Sequence, residues 1–570
     1  AEPSRAEPSR AEPSRAEPSR AEPSRAVISV PVGPGSQQWV TLAAQRTLLA
    51  VARTVTSTGR VLDAVQLLRD DPRVQVVFAV NDTSPFSDGV PEMLRRAGAR
   101  VVPWRQLPGL RFDAALTASE NTELGTVDAP VLVLQHGVGF HKDLPNSRGD
   151  GRRLSGTVRP ADRHGRRVLI AVTHPQQTAQ LAEHDPAAAA DTVLIADPML
   201  ERIRTSRLLR HRYRSALGLG DRRLIVVTST WGRQSLIGRW PELPARLLAE
   251  VDADTARVAT VLHPNVTAGH GALQLRLWLA AARDAGLLMV PPDAGWQAML
   301  AAADVVVGDH SSMSLLAAGA DVPLLLAPLA GEVVPGTPMT VLSRSAERLD
   351  VRRPLAPQVD AAVAGHTAGR YAAAVDASFA GPPAARPLRA VLYELLDLAE
   401  PDGAAPLVGW APPVPEKVDV CSFLLRTRLL GDRVEVSRFP AAVRRYATKP
   451  AEGWSDHLVA GDDEWDLRLL QSAEILTRSA VTGRAEAAQW ASACLDRFPG
   501  SALACAKTPE GAVGAVRGGT RVEILGEGDV VSLAAVLHTL ARDRSLTDGD
   551  RLLCTARGEA RVAVRSLPGF

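Results

Sequence analysis

What most constrains this chain is a rhythm of short β-type apolar runs alternating with amphipathic helical stretches, which begins near residue 47 and restarts after residue 217. In the first run, 47–53, 74–80, 99–103, 114–118, 131–135, 168–173 and 192–196 read as strands, with helical stretches at 59–69, 87–97 and 176–183. In the second, strands at 224–229, 258–262, 287–290, 305–308 and 322–327 alternate with helices at 241–250, 271–285, 296–303 and 312–319. Strands joined by helical crossovers pair in parallel and are covered on both faces. The expected fold class is therefore α/β, with two doubly wound Rossmann-like lobes at 46–217 and 218–400 and a cleft between them. Residues 199–217 read as one long helix bridging the lobes, ending at Gly218. Helical pieces at 359–377 and 387–399 are expected to pack back across the lobes.

The rest of the chain has a different texture. Residues 1–25 are five copies of Ala-Glu-Pro-Ser-Arg. Each copy has one acid, one base, one proline and no large apolar group, so 1–45 is expected to be a disordered tail and linker. Five prolines between 401 and 415 mark a linker at 401–417. Residues 418–570 read as a small α/β or α+β module with helices near 465–480, 484–497 and 530–543, and without a motif.

Charge narrows the partners. There are 65 basic and 63 acidic side chains, for a net charge of +2, so no field favours nucleic acid or anionic lipid. Only four of the basic residues are Lys (142, 417, 449 and 507), an Arg bias of the kind a GC-rich bacterial genome produces. The four Cys (421, 494, 505 and 554) form no Cys-x-x-Cys pair and read as reduced thiols of a cytoplasmic protein. No apolar run approaches the roughly 20 residues that cross a bilayer, and no signal-peptide pattern is read.

Chemistry is expected where polar residues fall at the carboxyl ends of parallel strands, because ligands of open α/β sheets sit there. Thr228-Ser229-Thr230, His263-Pro264-Asn265 and Asp309-His310-Ser311-Ser312 end strands of the second lobe; His136-Gly137 ends one in the first. The 309–312 turn opens a helix, whose free N–H groups and positive dipole suit a diphosphate; an ordinary N-cap uses the same residue types. His136 beside glycines can be approached by a substrate hydroxyl and take its proton. His141 reads as a solvated residue and His174-Pro175 as structural. Arg233 and Arg239, in the loop after the second lobe's first strand, could clamp phosphate. Asp252-Ala-Asp254 and Asp548-Gly-Asp550 have no neighbouring ligands, so no metal site is expected, and no cofactor is implied.

Gln135-His136-Gly137 with Lys142, His263-Pro264, Gly308-Asp309-His310-Ser311-Ser312 and the following Asp321-Val322-Pro323 resemble the CDP-glycerol glycerophosphotransferase family of teichoic acid synthesis, across about residues 100–330. The chain is also similar to actinobacterial proteins carrying the same motifs. His310 stands where that family has Tyr, Gln135 where it has an aromatic, and Val322-Pro323 where it has Lys-Pro. The resemblance implies a GT-B-like fold and a transferase acting in cell-wall polymer synthesis. It implies His136 as general base, with Gly137 and Lys142 on the acceptor side. His263, Asp309, Ser311, Ser312, Arg233 and Thr230 would hold the donor's phosphates. The partners implied are a nucleotide-activated donor and a hydroxyl acceptor, lipid-linked at the inner face of the plasma membrane, with no nucleic acid. A non-catalytic nucleotide- or polymer-binding relative is the second reading. A nucleotide-sugar epimerase is the third, but would need paired carboxylates in the cleft.

Overall fold

The computed structural model describes residues 32, 40–145, 151–405 and 407–567. The repeat tail expected at 1–25 lies outside them, as does most of the linker that follows.

The first lobe is built on an eight-stranded sheet in the order Arg386–Pro387, Thr192–Ala196, Val168–Val172, Val131–Val133, Ala114–Thr117, Arg46–Ala52, Val74–Val80, Val101–Val102. Every pairing in it is parallel. The second lobe has six parallel strands in the order Leu288–Met289, Ala256–Leu262, Arg223–Ser229, Val305–Gly308, Leu324–Leu326, Glu347–Arg348. Their central strands are apolar on both faces, as crossover helices require: Leu224 through Ser229 are all buried. These are two Rossmann-like lobes, and among the described residues no helix is long and apolar enough to cross a membrane.

Three expectations change within the lobes and the linker that follows them. Residues 199–217 are not one helix. Pro198–Ser206 and Arg210–Ala216 are joined by a 3-10 turn, Arg207–Leu209. The tighter turn re-phases the two apolar faces, so that Ile203 and Tyr213 both enter the second lobe's core. The second lobe does not run to 400. Arg386–Pro387 adds an edge strand to the first sheet, and the helix Leu388–Leu395 buries Leu388, Val391 and Leu392 among Leu48, Leu116 and Leu132. Its apolar face matches the first sheet, which closes the chain back over both lobes. The 401–417 linker is also tied down. The Tyr213 hydroxyl donates to the Trp410 carbonyl at 3.0 Å, Arg202 stacks on the Trp410 ring, and Glu416 pairs with Arg276 at 3.0 Å.

The C-terminal module is a closed nine-stranded barrel, Ser422–Leu430 to Gly558–Ser566, mixing parallel and antiparallel pairs. The helix Val530–Arg542 fills it, with every residue from Val530 to Leu540 buried. Val443 of the barrel is fully buried in the second lobe's core. Beside it, buried Asp254 accepts from Arg438 at 2.5 Å and pairs with Arg557 at 2.7 Å. That is the role of the Asp252-Ala-Asp254 sequence: it seats the barrel.

Candidate functional site

The polar strand ends of both lobes face one cleft, which holds about 170 Å³ for water-sized occupants. Its lining includes His136, Gly137, His141 and Lys142 from the first lobe and Thr230, His263, Ser311 and Ser312 from the second. Where the lobes meet, the Val138 amide donates to Ser312 Oγ at 3.0 Å. A Cβ on Gly137 would lie 2.4 Å from that same oxygen. Only glycine lets the loop after His136 approach the second lobe this closely. Gln177 braces the loop from behind, its side-chain amide donating to the Val138 carbonyl at 2.6 Å.

His136 is the exposed group of the loop, with 42% of its side chain accessible. Its Nδ1 lies 3.8 Å from Oε2 of Glu120, a buried carboxylate whose other oxygen accepts from Arg153 at 3.0 Å. Burial alone would raise the Glu120 carboxyl, but His136 and Arg153 outweigh it and hold the group below its ordinary range. An anion is thus fixed on one side of an imidazole that is open on the other.

The facing wall supplies donors. Ser311 is the N-cap of the helix Ser312–Gly319; its hydroxyl caps nothing and, among the described residues, has no hydrogen-bond partner, although it is buried. His263 caps the helix Pro264–His270, with Nδ1 accepting from the Asn265 amide at 3.1 Å. The ring proton therefore sits on Nε2. Burial, with His136 and Lys142 nearby, pushes the His263 pKa well down, so the ring is a neutral donor. Lys142 reaches across from the first lobe. Its ammonium donates to Thr230 Oγ1 at 2.8 Å and lies 4.0 Å from Glu332. Burial lowers its pKa against the opposing pull of Asp309 and Glu332. Lys142, expected on the acceptor side, thus serves both walls.

Other expected residues do different work. The Asp309 carboxylate is 2% exposed and does not line the cleft. It accepts from the amides of Thr230 and Leu236, each at 2.9 Å, and so folds the 230–236 loop beneath the site. Arg233 is exposed and lies off the cleft lining, while Arg239 donates to the Pro328 carbonyl at 2.9 Å. His141 is buried, not solvated. Its Nδ1–H donates to the Gly139 carbonyl at 3.2 Å, and burial, reinforced by Lys142, pushes its pKa down to about 3. His174 is an N-cap, accepting from the Gln176 amide.

No family model matches the sequence, and no curated protein does. Solved structures do. The wall teichoic acid polymerase TagF is 12% identical, with a TM-score of 0.41, covering 62% of this chain and 89% of its own. S. aureus MnaA in complex with UDP is 10% identical, with a TM-score of 0.36, covering 63% and 99%. A glycosyltransferase from Rickettsia africae is 10% identical, with a TM-score of 0.37, covering 62% and 99%. The two-lobed fold stands here on the strand order and register of the two sheets.

Sequence reasoning passed over three site residues. Glu120 follows the strand Ala114–Thr117, a polar strand end like the others, and could have been found by the same rule. Glu332 accepts from His310 Nε2 at 2.6 Å, and Gln177 sits one turn into a helix. Neither carries a local signal, because only the tertiary fold brings Glu332 to His310 and Lys142 and brings Gln177 to the Val138 carbonyl behind the loop.

Proposed function

We propose that this cleft transfers a glycerophosphate or glycosyl group from a nucleotide-activated donor to a hydroxyl acceptor, in the synthesis of a cell-surface polymer. The observation that carries this reading is the opposition across one cleft: an imidazole backed by a buried carboxylate on one wall, and on the other a helix N-terminus whose Ser311 hydroxyl has no partner among the described residues. His136 takes the proton of the acceptor hydroxyl, and Glu120 stabilises the imidazolium that forms. The Ser311 hydroxyl, the His263 Nε2–H, the free amides of the helix Ser312–Gly319 and the Lys142 ammonium neutralise phosphate charge as the nucleotide leaves.

CDP-glycerol is the donor that the motif resemblance favours. Attack then falls on the distal phosphorus: a new O–P bond forms, the bond to the bridging oxygen breaks, and CMP departs. With a nucleotide sugar the attack falls on the anomeric carbon and a nucleoside diphosphate departs. A lipid-linked acceptor would place the reaction at the inner face of the plasma membrane.

The test is nucleotide release from a panel of CDP- and UDP-activated donors in the presence of a membrane fraction. Release with one donor class, lost in His136→Ala, supports the reading. No release with any donor, from a chain that still binds nucleotide, contradicts it.

A further inference from the structure

The barrel holds a second cluster of ionisable side chains, none of which lines the cleft. His457 on the strand Ser455–Gly461, Glu474 just before the strand Ile475–Arg478, and His538 on the central helix each present a ligand-type atom, all within 4.8 Å of one another. His457 Nδ1 lies 3.1 Å from Glu474 Oε2, and His538 Nε2 lies 3.8 Å from the same oxygen. Tetrahedral bonds of about 2.0–2.2 Å put ligand atoms roughly 3.3–3.6 Å apart, and the two measured separations bracket that spacing.

The protein's own hydrogen bonds do not account for the cluster. His538 is 5% exposed, yet among the described residues its ring makes no hydrogen bond, and its Nδ1 is a buried atom without a partner. Leaving a buried imidazole unsatisfied is costly. His457 Nδ1–H donates to the Glu474 carboxylate at 3.1 Å, while Arg542 Nη1, 3.3 Å from both ring nitrogens, rests over the face of the ring. Arg542 is exposed and can swing into solvent, while the Glu474 side chain is 45% exposed and leaves a path of entry.

We infer that His457, Glu474 and His538 form a binding site for a divalent transition-metal ion of the zinc class, which ties the barrel's central helix to two of its strands. Two imidazoles and one carboxylate are the donor set such an ion takes, with a fourth position left for water. Nothing in the sequence spacing announces it, because the three ligands come from elements 17 and 64 residues apart.

The test uses the full, untagged chain, stripped with chelator and titrated with Zn2+ and with Co2+. One ion per chain is expected, with the visible absorption of tetrahedral Co2+ and a rise in the thermal midpoint that chelator reverses. His538→Gln and Glu474→Gln should each weaken binding by about 100-fold or more, since losing even an outer-shell partner of a metal site costs about 10–100-fold. If His538→Gln fails to fold, Glu474→Gln, changed on a half-exposed side chain, carries the comparison. The absence of stoichiometric binding, or binding equal to wild type in Glu474→Gln, would overturn the inference.

Discussion

At the scale of single residues, the cleft separates groups by protonation as well as by position. His141 and His263 are buried neutral, and that has a measurable consequence. A histidine with a folded pKa near 3 and an unfolded pKa near 6.5 binds fewer protons when folded, so it lends stability above that window that is lost as the pH falls through it. Between pH 7 and pH 5 the penalty from His141 alone is about 2 kcal/mol. Urea titrations at the two pH values should show it, and His141→Asn should flatten the difference even where it lowers stability at both. Glu120 acts through another residue. Glu120→Gln keeps the shape but not the charge behind His136, and should lower kcat about 100-fold with KM little changed. A matching rise in KM would mean that Glu120 merely shapes the pocket.

At the scale of elements, the contact that assembles the site is the loop after His136 against the helix Ser312–Gly319. Gly137→Ala would push a methyl group into Ser312 Oγ, at about 1–3 kcal/mol of strain or by parting the lobes. The expected result is a folded chain, native by circular dichroism, with transfer activity reduced more than tenfold. Full activity would show that the loop gives way without effect. The same contact marks where legibility in the sequence stops. The two runs of alternating strand and helix are local patterns, so both lobes could be read from them. Four polar strand ends could be placed in one cleft because a parallel sheet puts its carboxyl ends on one edge. The meaning of Asp309 could not be read. An aspartate before a helix suits a phosphate cradle and a loop brace equally, and only tertiary distances show its carboxylate committed to the Thr230 and Leu236 amides. His141 reads as solvated in the sequence and Lys142 as an acceptor-side residue, yet the fold buries the first as a neutral hydrogen-bonding group and sends the second across to Thr230.

At the scale of the whole molecule, three bodies are joined by specific devices. The helix Leu388–Leu395 returns the chain to the first lobe, the Trp410 segment straps the lobes, and Asp254 with Val443 seats the barrel on the second lobe. Arg438→Ala should leave Asp254 half-paired and destabilise the barrel seat by about 2–3 kcal/mol. That cost should appear as a separate, earlier unfolding step in calorimetry, whereas a single unchanged transition would deny the seat its importance. The central claim is a division of labour within the cleft: Lys142 and the second lobe's donors hold charge, and His136 accepts the proton. Calorimetric titration of CDP and UDP tests it most directly. The account predicts that His136→Ala binds one of them as tightly as wild type, while the pair Lys142→Met with Ser311→Ala binds it about 10–100-fold more weakly. Equal binding by all three proteins, or binding lost only with His136, would contradict it.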